Sequence, residues 1–211
     1  MLKIKQIVVG QLQANCYLVY DEKTLDTIIV DPGDDADLIT RVVADLELNP
    51  QSIIATHGHF DHVLAVTELK LAYNIPFLMH AKDQFLLERM ESSAKYYTKA
   101  PTVPSPLVDK FLVEGESVFV GKLALEVIET PGHTPGSICL YSKEESFILV
   151  GDLVFQKGGV GRTDFAYSNQ GDLVESVEKI LKLPGNTIIC SGHGDATTIS
   201  AIREYFDNIL S

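Results

Sequence analysis

The sequence predicts an α/β protein in which two packed sheets carry helices on their outer faces, in one domain. Three observations lead there. Short β-branched runs alternate with amphipathic stretches, and strand candidates outnumber helix candidates. The same pattern occurs in two strand-rich halves that each carry helices, with no low-complexity segment or short repeat. A chain of 211 residues that is 45% apolar is long enough to bury a sizeable core.

The elements follow in order. "LKIKQIVV", "NCYLVY" and "TIIVD" read as strands, and "DADLITRVVADLEL" places apolar residues at helical spacing. "SIIAT" reads as a strand, "HVLAVTELKLAY" as a helix, "PFLMH" as a strand and "KDQFLLERM" as a helix. The Pro-rich "KAPTVPSP", Lys99 to Pro106, reads as a long loop. In the second half "ESVFVGKLALEVIET" predicts a hairpin turning at Gly121-Lys122. Strands "SICLYS" and "SFILVG", helix "GDLVESVEKILKL", strand "TIIC" and helix "TISAIREYFDNIL" complete the chain.

Composition narrows the function classes. A net charge of -12 repels a phosphate backbone, so the expected partner is a small molecule and not a nucleic acid. Gln11, Gln13 and Asn15 interrupt the N-terminal apolar run before a signal-length segment forms, and no stretch reaches the roughly 18 apolar residues of a membrane helix. Cys16, Cys139 and Cys190 lie far apart with no CxxC, which points to a reducing cytoplasm. Cys139 and Cys190 sit in apolar strands and are expected to be buried and inert.

Five of the six histidines share one kind of address. His57, His59 and His62 follow the strand "SIIAT", His133 follows "LEVIETPG" and His193 follows "TIICSG". Asp152 follows "SFILVG" in the same way, and Asp61 lies inside "THGHFDH". Strand ends are where a rigid sheet can position reactive side chains, and the glycines adjoining these residues leave room for a group to approach. Five imidazoles and two carboxylates exceed one tetrahedral metal site. They suffice for two divalent transition metals that share a carboxylate and keep positions open for water, with zinc the leading candidate and iron or manganese the alternatives. His80, ending "PFLMH", is read as a core histidine and excluded. Asp31 in "VDPGD" is either a turn residue or a carboxylate that orients a ligand histidine.

"THGHFDH", "TPGHTPGS", "GDLVF" and "SGHGDATT", in that order and spread over nearly the whole chain, resemble the metallo-β-lactamase fold hydrolases, in the small branch similar to glyoxalase II. "GRTDF", Gly161 to Phe165, looks like a segment shared by small glyoxalase II-like proteins and persulfide dioxygenases. The resemblance implies a four-layer αββα sandwich of two mixed sheets, with residues 1–211 as a single domain. It implies that His57, His59 and His133 hold one metal, that Asp61, His62 and His193 hold a second, and that Asp152 bridges them. Full-length glyoxalase II enzymes carry an additional C-terminal helical region that contributes to glutathione recognition. This sequence ends at Ser211, so their glutathione pocket is expected to be missing or rebuilt. The common forms of the secreted antibiotic-degrading members place a cysteine where this chain has Asp152, which argues against that role.

The implied activity is hydrolysis of a thioester such as S-lactoylglutathione by a hydroxide shared between two metals, with Asp61 orienting that hydroxide as a catalytic residue. Arg162, or Lys157 on the same loop, is a candidate to hold an acidic substrate tail, against the plainer reading of solvated loop charges. The alternative from another reaction class is a persulfide dioxygenase with one iron held by His57, His133 and Asp152. Phosphodiester cleavage uses the same metal chemistry, but the acidic surface and the lack of a basic exosite argue against it.

Overall fold

Successive side chains of a β-strand face opposite sides, and in the central strands of this protein both sides are apolar. The structure, a computed structural model, describes residues 1–99 and 103–210. Its first sheet holds β1 (Leu2–Val9), β2 (Ala14–Asp21), β3 (Asp26–Val30), β4 (Asn49–Ile54), β5 (Phe77–His80) and β6 (Lys110–Leu112), hydrogen-bonded in that order. β1 to β3 pair antiparallel and β3 to β6 parallel. The second sheet holds β7 (Ser117–Val120), β8 (Leu123–Glu129), β9 (Ile138–Ser142), β10 (Phe147–Gly151), β11 (Ile188–Ser191) and β12 (Thr197–Thr198). Here only β10 and β11 run parallel.

The two-residue period of the strands divides their side chains among three layers. Tyr17, Val19, Ile28, Val30 and Ile54 of the first sheet meet Leu125, Val127, Leu140, Leu149 and Cys190 of the second in a core between the sheets. The intervening residues Leu18, Ile29, Ile53 and Phe77 face outward, under α1 (Ala36–Asp45), α2 (Phe60–Val63), α3 (Val66–Tyr73), α4 (Gln84–Glu88) and α5 (Met90–Thr98). Cys139, Ile148, Val150 and Ile189 do the same on the other side, under α6 (Gln170–Ile180) and α7 (Ile199–Leu210). The architecture is the expected sandwich of two mixed sheets with helices outside. Cys16, Cys139 and Cys190 are buried free thiols, as read for the last two. Among the described residues, no helix is long and apolar enough to cross a membrane.

Several elements depart from expectation. The helix read as His62 to Tyr73 is two helices, α2 and α3. The Asp61 carbonyl packs against Gly33 and the Ala65 amide donates to Pro32 O at 3.0 Å, which breaks the helical ladder between them. The helix expected from Lys82 to Met90 is a 3-10 turn followed by α4, and α5 was not expected at all. Only Met90 and Ala94 of α5 are fully buried, too narrow an apolar stripe to register in the periodicity. The three-residue β6 and two-residue β12 are edge strands too short to show period-two alternation. Gly121, at φ 58°, begins the expected two-residue hairpin loop between β7 and β8. Of the expected Pro-rich loop, residues 100–102 lie outside the described residues, and residues 103–108 have no regular structure.

Candidate metal centre

The strand directions bring the C-terminal ends of β3, β4, β8, β10 and β11 to one edge of the sandwich. The residues just beyond those ends are Asp31, the "THGHFDH" segment, His133, Asp152 and His193. Asn15 on β2 holds the two sheets together there, accepting nothing from the site but donating from its amide to Gly192 O (2.7 Å) and from its side chain to Ser191 O (2.9 Å). Room for the crowding comes from glycine. A Cβ on Gly192 would fall 2.3 Å from Asp152 Oδ1 and 2.7 Å from His62 Cε1.

All seven residues read from the sequence converge. One ligand-type atom each of His57, His59 and His133 forms one group with every pair within 4.8 Å, and Asp61, His62 and His193 form another. Asp152 stands between them. Its Oδ1 is 3.5 Å from His62 Nε2 and 3.8 Å from His193 Nε2, while its Oδ2 is 3.6 Å from His133 Nε2. His193 Nε2 also lies 3.4 Å from Asp61 Oδ2.

Each of the five histidines has one ring nitrogen engaged from outside the cluster. His133 Nδ1 donates to Arg162 O at 2.8 Å, His193 Nδ1 to Gln13 O at 3.3 Å, and His62 Nδ1 faces Asp31 Oδ2 at 3.1 Å. Thr56 Oγ1 donates to Asp31 Oδ2 (2.7 Å), so its oxygen is left to accept from His57 Nδ1 at 3.1 Å. His59 Nε2 meets the Tyr167 hydroxyl at 2.8 Å. The other nitrogen of each ring faces inward. Anchoring one nitrogen of an imidazole by an outer hydrogen bond is how metal-ligating histidines are oriented.

The inward atoms fit a cation. Among the described residues, His57 Nε2, His62 Nε2 and Asp152 Oδ1 are buried without a hydrogen-bond partner. A buried polar atom left unpaired costs about 1–3 kcal/mol, and a cation held among these three would satisfy them. Burial, together with the neighbouring imidazoles, holds His57 well below the ordinary histidine range and His59 down to about 3, so both present free lone pairs at neutral pH. Burial opposes charge on His62 as well, but Asp152, Asp61 and Asp31 overcome it and push it up to about 10. Three carboxylates gathered around one buried ring thus draw positive charge into this spot. Burial would raise the Asp61 carboxyl, yet His62, His193 and His59 hold it well below the usual carboxylate range.

The remaining residues fall into place around this cluster. Asp31 is buried and could itself join His57 and His62, but its oxygens already accept from the Thr56 amide and hydroxyl and face His62 Nδ1. It is therefore an orienting carboxylate, one of the two readings its sequence context allowed. His80 lies apart, accepting from the Lys82 amide and meeting Glu129 Oε1 at 3.1 Å, a structural histidine as read. Arg162 lines the cleft beside the cluster but is exposed and forked to Asp164 at 2.9 and 2.7 Å. Lys157 does not line that cleft.

Sequence reasoning missed three residues. Tyr167 steers His59. Thr56 links His57 to Asp31. Asp83, fully buried, accepts from the Gly58 amide (2.9 Å), the Gly136 amide (2.7 Å) and Thr134 Oγ1 (2.6 Å), and so ties the segment of His57 and His59 to that of His133. Thr56 lies inside "THGHFDH", but its role depends on Asp31 in another segment, and Tyr167 and Asp83 lie outside every motif and act on partners far along the chain. Above the cluster opens a cleft of about 560 Å³ walled by Leu12, Leu86, Phe155, Val160, Phe165 and Tyr167.

Comparison with known proteins agrees with this geometry. Residues 9–193 match the sequence model of the Metallo-beta-lactamase superfamily. The chain is 36% identical over 201 residues to a Haemophilus influenzae protein named hydroxyacylglutathione hydrolase GloC, covering 94% of this chain and 93% of that one. Among solved structures it resembles the BLEG-1 B3 metallo-beta-lactamase, with 34% identity and a TM-score of 0.89 over 96% of this chain and 97% of that one. It also resembles TTHA1623 in a di-iron-bound form, with 32% identity and a TM-score of 0.87 over 95% and 98% of the two chains.

Proposed function

The chain belongs to the metallo-beta-lactamase superfamily, and from that premise we propose that it is a dinuclear metallo-hydrolase of acyl thioesters such as S-lactoylglutathione, acting as a single domain in the cytoplasm. The observation that carries the dinuclear reading is Asp152, whose two oxygens face histidines of opposite groups. In this reading His57, His59 and His133 would hold one divalent metal and Asp61, His62 and His193 the other, with Asp152 available to both. The di-iron form of TTHA1623 supports two metals, and zinc, iron and manganese all suit the donor set. The similarity to GloC supports the thioester class. Three buried free thiols are consistent with a reducing compartment.

Metals at this site supply Lewis acidity toward a carbonyl and lower the pKa of water toward about 7. The protein's own groups do the rest. Asp61 stays ionised, held low by His62, His193 and His59 against its burial, and accepts a hydrogen bond that aims the attacking water. Asp31 and Tyr167 hold His62 and His59 with their inward nitrogens unprotonated once the metals are in place. The apolar walls of the cleft take the body of the substrate and shed its water.

The test is metal analysis of protein purified without added metal, followed by thioester turnover. About two transition-metal ions per chain are expected. An active preparation saturated by one metal refutes the dinuclear reading. His193→Ala should retain the first metal and lose two or more orders of magnitude in rate. Near-wild-type turnover in that variant, with oxygen uptake on a persulfide, favours the one-iron dioxygenase instead. The 34% identity to BLEG-1 makes a chromogenic β-lactam the control substrate: faster turnover of it than of any thioester overturns the proposed class.

A further inference from the structure

The cleft above the metal centre is charged in an uneven way. Its acidic lining residues, Asp61 and Asp152, sit at the floor and are largely buried. The two cationic side chains in its lining, Arg89 and Arg162, are both exposed, in a protein whose net charge is -12. They are not equivalent. Arg162 is forked to Asp164 and lies over the Phe165 ring, 4.7 Å from its centroid, so its charge is already paired. Arg89, in the turn between α4 and α5, lies over the Phe85 ring at 5.7 Å, and among the described residues no carboxylate lies within ion-pairing distance of it.

Phe85 packs against Tyr167, which in turn stacks on Phe165. One aromatic row thus runs from Phe85, beside the cleft, to Tyr167 and Phe165 in its wall, with an arginine of the lining seated at each end, one neutralised by its own carboxylate and one free. Stacking on a ring holds a guanidinium in place while leaving its edge donors available, and a guanidinium edge matches carboxylate and phosphate oxygens.

We propose that Arg89 is the anion anchor of this cleft, selecting thioesters whose thiol carrier bears a carboxylate or phosphate while the apolar walls take the neutral part. The inference rests on the thioester reading given above. It adds that recognition of the carrier comes from the α4–α5 turn, and that Arg162, the cation expected from the sequence, is the lesser contributor.

The experiment compares one acyl group on three thiols: glutathione with its carboxylates, coenzyme A with its phosphates, and neutral N-acetylcysteamine. Arg89→Gln should lower kcat/KM at least about tenfold on an anionic carrier, through KM, and change the neutral ester less than about twofold. The loss should shrink as salt is raised. Whichever anionic ester shows it identifies the source of the anion. In parallel, calorimetry of S-methylglutathione and S-methyl coenzyme A with wild type and Arg89→Gln separates binding from turnover. If no ester is turned over but one thioether binds wild type and loses about tenfold in the variant, the thioester reading falls and the anchor stands. Equal loss on all three esters, or no loss of either anionic ligand, overturns the anchor, as does wild type that binds neither thioether and does not favour anionic esters.

Discussion

Asp83→Asn probes the packing that holds the two ligand-bearing segments together. Asp83 Oδ2 accepts from the Gly58 amide and Thr134 Oγ1, and Oδ1 accepts from the Gly136 amide. Asparagine has one acceptor oxygen. Placed at the Oδ2 position it keeps two bonds and turns an NH2 toward the Gly136 N–H, leaving a buried donor unsatisfied at about 1–3 kcal/mol. The two remaining bonds lose their charge assistance, about another 1 kcal/mol together. Removing a buried charge offsets part of this, since burial holds this carboxyl above its ordinary range despite the hydrogen bonds that pull it down. The net loss should be about 2 kcal/mol, or roughly 4–8 °C in Tm for a chain of this size. Urea denaturation should show it both in excess zinc and after chelation, because the clamp joins protein to protein. A raised native pKa also fixes the sign of the pH dependence. Between the unfolded carboxyl value near 4 and the raised native value, the folded state holds its proton longer, so stability falls as pH rises. The advantage of wild type over Asp83→Asn should therefore be largest near pH 4, decline above it and then level off. A variant as stable as wild type, or an advantage that grows with pH, refutes the account.

Tyr167→Phe removes the hydroxyl that meets His59 Nε2 at 2.8 Å. It should weaken metal binding by about 10- to 100-fold in competition with a chromophoric chelator while leaving the fold unchanged by circular dichroism; unchanged affinity refutes the orienting role. Gly192→Ala drives a methyl into Asp152 Oδ1 and the edge of His62. The folded variant should bind fewer than two metals per chain and lose at least tenfold in rate, and full metal content would show that the site relaxes more easily than its packing indicates. Thr56→Val removes the hydroxyl linking Asp31 to His57. It should lower affinity for the metal associated with His57 by about tenfold in the same chelator assay, and unchanged affinity there refutes the link.

How much of this protein was legible beforehand differs by element and by the range over which each residue acts. The long strands and amphipathic helices show in the sequence because their burial has a period, and a period is a local property. Leu18 and Val19 or Ile148 and Leu149 read as strand for that reason, whereas α5, with Met90 and Ala94 as its fully buried residues, did not register. The ligand-type residues were legible for a related reason. Metal chemistry accepts few side-chain types, and their place at the ends of apolar runs reflects how a sheet delivers groups to its edge. Everything that orients them was decided in three dimensions. Whether Asp31 was a turn residue or an orienting carboxylate depended on where Thr56 and His62 come to lie. Nothing in the sequence around Asp83 marks it; only the fold closes Gly58 and Gly136 around it. Arg89 and Arg162 are alike as residue types, and only the fold pairs one with a carboxylate and leaves the other in the cleft lining, seated on an aromatic ring. Sequence determines which chemical groups exist and which faces are apolar; hydrogen bonds and charge pairs act over a few ångströms between residues tens of positions apart, so tertiary packing alone selects which of those groups meet.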